Sequence, residues 1–344
     1  MKRRCIKPLA VLLAVTLAAG LSACNEADDA KSTTTTETTT EAVMTTPAPT
    51  EYYEEMSETM SYVDIEEIET TPEETTVPES SDELFRYTVD ETGITITGLV
   101  EGELPTEIIV PKLIADTAVI AIGEGAFRDN KTLQSITLQE GILIVGNNAF
   151  NGCNALNEVI IAETVTEIGR AAFADCTALT DIIVPGCVKS IGNSAFKGCT
   201  ALVNVAINDG VVNIEPYVFN SCTSLVTITL PNSVASLGVC AFYRCDALEE
   251  VILSDGITRL EFGTFMYCRR LKTIEIPESV EVLDYKVFAQ CINLKNVYFT
   301  DSVTRIERDV FEACGQVMIV ALDDAYASVW ARENGYKTSA LVKE

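Results

Sequence analysis

Residues 195–207, AFKGCTALVNVAI, decide the fold, because the pattern Phe-x-x-Cys-x-x-Leu that they contain recurs through two thirds of the chain. Nine phenylalanines follow one another at intervals of 23 residues without a slip. A fixed period between roughly 20 and 50 residues indicates a solenoid, a propeller or an array of repeats. The nine positions are Phe127, Phe150, Phe173, Phe196, Phe219, Phe242, Phe265, Phe288 and Phe311.

Each copy also carries apolar residues six, nine and eleven positions after its phenylalanine, in the pattern Leu-x-x-Ile-x-Ile. The final alternation predicts a short β-strand with two apolar side chains on one side. In the ninth copy this count makes Val320 and Leu322 the inward residues. Two further apolar positions precede each phenylalanine by eight and five residues, as Val165 and Ile168 do.

A single copy cannot close a core, but stacked copies cover one another. The sequence therefore predicts a mainly β solenoid of nine 23-residue turns over residues 120–322, with short strands and helical turns. Strands about 4.8 Å apart would give nine turns a sheet roughly 43 Å long. That long shallow face is the first surface to consider for function.

The strand segment resembles the leucine-rich-repeat signature, although small residues such as Gly210 and Gly256 stand where the common form has Asn or Cys. The pattern Ala-Phe-x-x-Cys-x-x-Leu, with segments such as residues 277–280, PESV, resembles the BspA-type subclass of bacterial surface proteins. The resemblance covers residues 120–322 and the tail after them. It implies adhesion or attachment to host or neighbouring-cell surfaces.

Short apolar runs predict an N-terminal β cap over residues 84–119. The runs are residues 85–89, 94–96 and 108–110, separated by Thr92-Gly93 and Leu104-Pro105. A hairpin here would cover the first turn, whose exposed edge would otherwise invite pairing with another chain.

Residues 323–344 predict a C-terminal helical cap. Tyr326, Val329 and Trp330 approximate one face of a helix, and Asn334-Gly335 supplies its end. This helix is expected to close the last turn.

Residues 1–23 resemble a lipoprotein signal peptide. A basic start with Lys2, Arg3, Arg4 and Lys7 precedes the apolar residues 8–21, which are too few to span a bilayer. Residues 21–24, LSAC, resemble the bacterial lipobox, which implies cleavage before Cys24 and a diacylglyceryl group on its thiol. The alternative is an ordinary cleavage site that happens to precede a cysteine.

Residues 24–83 predict a disordered acidic stalk rich in Thr and Pro. Residues 25–83 contain 18 acidic residues against one Lys, and such a segment cannot bury enough apolar surface to fold. Tyr52, Tyr53, Met56 and Met60 lie at helical spacing, which leaves a docking site for a partner as the alternative.

The formal charge of −27 is spread along the chain, and residues 84–344 alone contribute −14, from 19 basic and 33 acidic residues. Nucleic acids and anionic membrane surfaces are bound by clustered Lys and Arg. We therefore expect no nucleic-acid partner, and contact with the membrane only through the lipid at Cys24.

The cysteines present two interpretations. Eight of the twelve occupy one slot of successive turns, where their side chains would run parallel and not converge into disulfides. The first interpretation is a column of small buried thiols that donate weakly to backbone carbonyls. The second, a metal site, lacks both a Cys-x-x-Cys pair and any histidine. Outside the column, Cys187 and Cys240 are candidates for surface thiols, and Cys187 also suits a turn corner.

The sequence indicates no enzyme, no catalytic residue and no cofactor. The chain has no histidine, which excludes the Ser-His-Asp and Cys-His nucleophile systems. Glu158 and Asp181 occupy equivalent slots of adjacent turns, near the spacing of a glycosidase pair, but nothing in the sequence encloses them. A solvated charged face is the simpler interpretation.

The outward positions of the strands vary from copy to copy and form the candidate ligand-binding face. Exposed isoleucines bordered by acids resemble a protein-binding surface, with an apolar centre and a polar rim. The alternative is that β-branched residues merely suit strands. The residues assigned to this face are Glu158, Ile160, Asp181, Ile183, Glu250, Ile252, Glu275 and Tyr298.

Two functions follow from these patterns. The first is an exported, lipid-anchored cell-surface protein that binds an extracellular protein or glycan on host or neighbouring cells. The second is an envelope scaffold component that associates with its own kind and has no foreign ligand. A solute-binding lipoprotein would show a two-lobed α/β pattern, which the sequence lacks.

Overall fold

The computed structural model describes residues 82–102 and 105–341. The predicted signal peptide, Cys24 and all but the last two residues of the predicted stalk lie outside the described residues. A 3₁₀ turn, Asp82–Leu84, leads into the first strands. In chain order these are β1 (Phe85–Val89), β2 (Ile94–Leu99), β3 (Glu107–Val110), β4 (Leu113–Ile114) and β5 (Thr117–Ile122).

Beyond β5, each turn contributes one long strand and one strand of two residues. They are β6 (Ser135–Leu138), β7 (Ile144–Val145), β8 (Glu158–Ile161), β9 (Glu167–Ile168), β10 (Asp181–Val184), β11 (Ser190–Ile191), β12 (Asn204–Ile207), β13 (Asn213–Ile214), β14 (Thr227–Thr229), β15 (Ser236–Leu237), β16 (Glu250–Ile252), β17 (Arg259–Leu260), β18 (Thr273–Glu275), β19 (Val282–Leu283), β20 (Asn296–Tyr298), β21 (Arg305–Ile306) and β22 (Met318–Ala321). The helix α1 (Tyr326–Glu333) and the strand β23 (Lys337–Ala340) end the array.

The long strands are parallel and in register, so that Ile136 stands beside Val159 and Ile182 beside Val205. With β3 and β23 they form a series of eleven, which gives a solenoid of about eleven turns. The predicted β solenoid is confirmed, but the predicted count of nine turns was too low, because β3 and β23 extend the stack beyond the repeats that contain the phenylalanine. The strand β3 pairs with β6 in the same parallel sense, so the long-strand series begins before Phe127.

A second parallel ladder of two-residue strands runs along another side of each turn. It places Val145 beside Ile168 and Ile191 beside Ile214, all of them buried. These are the apolar positions five residues before each phenylalanine. The sequence indicated that they are buried but not that they form strands, because two residues are too few to show an alternation.

A third backbone ladder runs through the segment around each phenylalanine, which we call the turn segment. The N–H of each phenylalanine donates to the residue that precedes the next one, as Phe127 N does to Ala149 O at 2.7 Å. The residues two before and two after it donate in the same direction, as Gly125 N does to Asn147 O and Asp129 N to Asn151 O. Those flanking residues have positive φ, which is the left-handed backbone conformation. This change of backbone conformation within the turn segment directs their N–H groups toward the following turn.

The phenylalanine rings form one continuous column through the core. Adjacent rings are parallel within 7°, with centroids 5.0–5.6 Å apart from Phe127 to Phe311. This is the offset stacking that aromatic pairs prefer. The column is buried along its whole length, with no ring more than 3% exposed.

The eight repeat cysteines form a second column beside the rings. Each thiol donates to the carbonyl oxygen of the phenylalanine one turn earlier, at 2.9–3.2 Å, as Cys222 does to Phe196 O. The prediction of buried thiols that donate to backbone carbonyls is confirmed. In the first turn Asn130 takes this slot, and its Oδ1 accepts from the N–H groups of Thr132 and Leu133.

Both predicted caps are present. At the start, β1 and β2 form an antiparallel hairpin, and β2 joins the second ladder through β5. At the end, α1 is followed by Gly335 with φ of 78°, and the rings of Trp330 and Tyr336 pack against Phe311. The strand β23 then pairs with β22.

The face predicted for α1 was wrong in part. Trp330 does face the last turn, but Tyr326 and Val329 are 41% and 39% exposed. The buried helical residues are Ala327, Ser328 and Ala331. Small side chains face inward because the helix axis lies close to the last turn.

The inward residues predicted for the ninth copy, Val320 and Leu322, were also wrong. The structure pairs Val297 with Ile319 and buries Ile319 and Ala321. The copy is one residue shorter between Val317 and the strand, which shifts the register and moves the other set of side chains inward.

One cysteine assignment needs correction as well. Cys240 is 5% exposed, so it is not a surface thiol. It lies two residues before Phe242 with φ of 54°, at one of the positive-φ slots of the turn segment. Cys187 is partly exposed.

We expect Phe219→Ala to destabilise the array by about 3–5 kcal/mol, the usual cost of emptying a buried aromatic site. The missing ring separates two stacked halves, and the stability of a repeat array depends on such neighbour interfaces. Urea unfolding followed by circular dichroism measures the change. Phe262→Ala, which removes a ring that is 36% exposed, is the matched control and should cost far less. Equal losses in the two variants would contradict a buried column.

The thiol column predicts sensitivity to alkali. Burial raises the pKa of Cys153 to about 12 and raises the pKa values of Cys199, Cys222 and Cys245 well above that of an exposed thiol. The folded state therefore holds protons that the unfolded state releases above its thiol pKa near 8.5. The contribution of these thiols to stability is fully present below that pH and falls above it, by about 1.4 kcal/mol per pH unit for each thiol whose pKa burial raises. Cys314, whose pKa is lowered by its hydrogen bond with Cys291, does not add to this loss.

The measurement is the free energy of unfolding between pH 8 and pH 10. Cys222→Ala should lower stability at pH 8 but reduce the alkaline slope by one thiol, whereas Lys and Tyr titrate alike in both proteins. An unchanged slope in the variant would show that the column thiols ionise while folded.

Candidate binding surfaces

The outward side of the long strands, which we call the strand face, carries the residues predicted for ligand binding. Register fixes their neighbours: Ile160 stands beside Thr137, and Ile252 stands beside Thr229. Glu275 stands beside Tyr298 in the same way. All eight predicted residues lie on these strands, and each is next to at least one buried residue in sequence.

The apolar members of the strand face are solvent-accessible. Ile160, Ile183 and Ile252 are 44%, 36% and 51% exposed. The inward residues one position before them, Val159, Ile182 and Val251, are buried. Apolar residues therefore occupy both the inward and the outward positions of these strands, and the outward ones expose hydrophobic area to water.

Two valines that the sequence prediction did not include are also exposed next to these strands. Val203 and Val226 are 38% and 37% exposed and lie one residue before strands β12 and β14. The same slot holds Asn157 and Thr180 in the earlier turns and Glu249 in the next one. The change from polar to apolar at this slot was visible in the repeat alignment and could have identified both valines. We call Ile160, Ile183, Val203, Val226 and Ile252 together the apolar band.

Acidic side chains border the apolar band. Glu158, Glu250 and Glu275 are exposed, and Asp181 is half-buried. The carboxylate of Asp181 accepts a hydrogen bond from Asn204 Nδ2 at 2.6 Å and another from Thr180 Oγ1 at 2.5 Å. These bonds fix its orientation, so it presents a defined negative charge beside Ile183.

Basic residues from the next turn pair with one acid of the rim, Glu249. Glu249 pairs with Lys272 at 2.9 Å, and this hydrogen bond lowers the pKa of its carboxyl group. Arg270 lies 3.7 Å from the same carboxylate. The charge of Glu249 is therefore compensated by these two cations, whereas Glu158, Asp181, Glu250 and Glu275 have no ion pair within the described residues.

A shallow groove of about 380 Å³ lies over the short strands instead of the strand face. Its lining includes Ser190, Ser236 and Glu261. Glu215 lies in its floor and accepts hydrogen bonds from Ser190 Oγ and Asn193 N, at 3.3 and 3.0 Å. This carboxylate is held by the backbone and a hydroxyl, an arrangement that serves the fold of the turn.

Within residues 82–102 and 105–341, no cluster of three or more Cys, Asp or Glu side chains could hold a metal ion. In the same residues, no helix combines the length and apolar composition needed to cross a membrane. Cys24, the predicted lipid attachment site, lies outside them.

Solved structures with a similar fold come from several bacteria. A leucine-rich-repeat protein of T. pallidum is 26% identical, with a TM-score of 0.48 over 76% of this chain and 98% of that one. A leucine-rich cell surface protein of Faecalibacterium prausnitzii is 22% identical, with a TM-score of 0.40 over 76% and 98%. The pneumococcal vaccine antigen PcpA is 15% identical, with a TM-score of 0.37 over 76% and 100%. No curated protein matches the chain.

The sequence profile of the BspA type leucine-rich repeat region matches six copies, in residues 108–211 and 189–317. Together these ranges span residues 108–317, more than half of the 344-residue chain. The stacked turns, the in-register long strands and the phenylalanine and cysteine columns occupy the same residues. The chain therefore belongs to the BspA-type leucine-rich-repeat family.

Proposed function

We propose that this protein is exported, attached to the bacterial surface by a lipid at Cys24, and binds an extracellular protein or glycan through the strand face without catalysis. The observation that carries the proposal is the apolar band, which leaves five large side chains in water on a regular scaffold. A soluble protein seldom exposes a continuous apolar area without a partner. The acidic rim around it suits a partner with basic groups.

A protein partner fits the strand face better than a glycan does. An interface with an apolar centre and a charged rim is typical of protein recognition, whereas a glycan is held by aromatic faces and dense hydrogen-bonding groups. Tyr298 is the one aromatic residue among the eight predicted positions, and it is half-buried. Adhesion to host or neighbouring cells is the role that family membership and the export signal favour together.

Self-association as an envelope scaffold is the competing function. It differs in one measurable property, because only a scaffold should form larger species as its own concentration rises. Sedimentation of residues 82–344 over a hundredfold range of concentration separates the two. A protein that stays monomeric supports a foreign ligand.

We expect Asp181→Lys, Glu250→Lys and Ile183→Ser together to weaken binding to a partner captured from cells of the same habitat. Substituting one interface residue of this kind can cost about 2 kcal/mol or more in affinity, whereas substituting an exposed residue changes stability by about 0.5 kcal/mol or less. Surface plasmon resonance and thermal melting measure the two effects separately.

The control is Lys189→Glu with Lys197→Glu, two exposed residues that lie away from the strand face. If the control loses binding and the strand-face variant keeps it, the proposed surface is wrong. If neither variant loses binding to the partner, residues 24–81 become the candidate binding segment.

The lipid anchor has its own test. Cys24→Ala should release the protein from membranes while leaving the array folded, because residue 24 precedes the first described strand by some sixty positions. Partitioning of the two proteins between detergent and water after export measures anchoring. Equal partitioning into detergent would contradict the lipobox prediction.

A further inference from the structure

A second surface lies on the outside of the turn segments and is independent of the strand face. In turns 1–4, counted from Phe127, residues 124–132, 147–155, 170–178 and 193–201 contain no aromatic residue besides the stacked phenylalanines. In turns 5–8 the equivalent residues 216–224, 239–247, 262–270 and 285–293 contain five more. They are Tyr217, Tyr243, Phe262, Tyr267 and Tyr285.

The fold does not require aromatic residues at these slots, since turns 1–4 make the same backbone ladder without them. Two of them are even placed at positive φ: Tyr217 at 63° and Tyr267 at 66°. The equivalent slots of turns 1–4 hold residues such as Gly125, Asn148 and Gly152, which adopt this conformation more readily. Bulky side chains held in an unfavourable backbone conformation at a solvent-facing slot indicate a role outside folding.

Cations surround these rings. The Arg269 guanidinium lies over the ring of Tyr267 at 5.6 Å. Lys286 and Arg308 lie over Tyr285 at 5.1 and 5.9 Å. The rings also touch one another, with Tyr243 edge-on to Tyr267 at 5.5 Å and Phe262 stacked on Tyr285 at 5.9 Å. These contacts form two clusters, one of Tyr243, Tyr267 and Arg269 and one of Phe262, Tyr285, Lys286 and Arg308. We call the two clusters, together with Tyr217 and Arg244 on the same turn segments, the turn-face patch.

The turn-face patch is positive in a protein that is otherwise acidic. The four segments of turns 5–8, with residues 308–316 of turn 9 that supply Arg308, contain five basic residues and three acids, a net charge of +2, whereas residues 84–344 as a whole carry −14. Arg269 lies 3.7 Å from Asp246, and Lys286 pairs with Glu312 from the next turn. Arg244 and Arg308 are exposed and have no ion pair within the described residues, so their charges face solvent.

The arrangement of the rings favours one class of partner. A sugar ring binds by stacking on a free aromatic face, but cations lie over Tyr267 and Tyr285, and Phe262 is stacked against Tyr285. What these two clusters leave available are ring edges, phenolic hydroxyls and guanidinium groups, and Tyr217 is the one patch ring without a ring or cation contact among the described residues. These groups bind carboxylates, and Arg with Tyr dominates protein interfaces of this kind. We propose that the turn-face patch binds an acidic polypeptide segment of a partner protein.

The test uses the exported chain and a fluorescent peptide of repeated Glu-Gly-Glu-Phe units as the probe. Arg244→Glu with Arg308→Glu should weaken peptide binding by about tenfold or more, and binding to the parent protein should fall as salt screens the charges. The matched control is Arg170→Glu with Lys197→Glu, since Arg170 occupies the slot of Arg308 and both control residues are exposed. The control should change binding by less than about threefold. Equal losses in both pairs would show unspecific charge attraction and overturn the proposal.

A second variant separates binding from folding. Tyr217→Asn with Tyr267→Asn places a residue suited to positive φ at both slots, so the melting temperature should stay the same or rise. Peptide binding should fall by about fivefold or more. A lower melting temperature with unchanged binding would show that the tyrosines serve the fold, which would overturn the proposal.

Two comparisons identify the class of partner. If heparin, a sulfated glycan, displaces the peptide and binds more tightly than it does, the patch recognises anionic glycans and the proposal is wrong. If the parent protein self-associates without peptide and the Arg244 and Arg308 variant does not, a second copy is the occupant and the proposal is also wrong. The strand-face variant should bind the peptide normally, so that failure of the proposed function and failure of this inference give different results.

Discussion

The hydrogen bonds between successive turn segments set the spacing on which the remaining structure depends. Each phenylalanine N–H donates to the next turn, so the rings are held at a separation of 5.0–5.6 Å. At that separation the rings stack in parallel with an offset, and the thiol of each repeat reaches the carbonyl of the preceding phenylalanine. A change in the number of residues between two phenylalanines would break this ladder. The missing residue of the ninth copy falls after Val317, beyond its turn segment, and the ring stack is intact there.

The turn ladder also has a direction. Its N–H groups point toward the C-terminal end of the array and its carbonyl groups toward the N-terminal end, so the two ends are chemically different. At the carbonyl end, Ala126 O and a guanidinium nitrogen of Arg86 both lie beside Gly98. They are 3.2 and 2.8 Å from the position that a Cβ on Gly98 would occupy. A cation beside exposed carbonyl dipoles is favourable, as it is at the C-terminus of a helix. At the other end, the rings of Trp330 and Tyr336 cover Phe311. The caps therefore complete both the packing and the electrostatics of the array.

The sequence predicts what repeats strictly and misses what the repeat leaves free. The 23-residue period identifies the stack, the long strands and the cysteine column, because each of these uses one residue type at one slot. The turn ladder could not be predicted, since its positive-φ slots hold residues as different as Gly125, Tyr217 and Lys286, and glycine alone would have signalled that conformation. The predictions for the register of β22 and for the inward face of α1 were wrong because the last copy follows the repeat pattern only as far as Val317.

The same distinction limits prediction of the surfaces. Exposure of Ile160 and Ile183 follows from strand alternation. The apolar residues at the slot of Val203 and Val226 are visible in the repeat, but that slot lies outside the strands, so its exposure needed the structure. The turn-face patch follows from the period only in part. Tyr285 and Arg308 occupy one slot of adjacent turns, 23 residues apart, whereas Tyr243 and Tyr267 are 24 residues apart and occupy different slots, so the structure was needed to show that these two meet. The core keeps the two surfaces apart, so substitutions on one should act independently of those on the other. A stack held together by a few invariant slots can therefore present an acidic apolar face on its strands and a basic aromatic face on its turns, and each can change without disturbing the column between them.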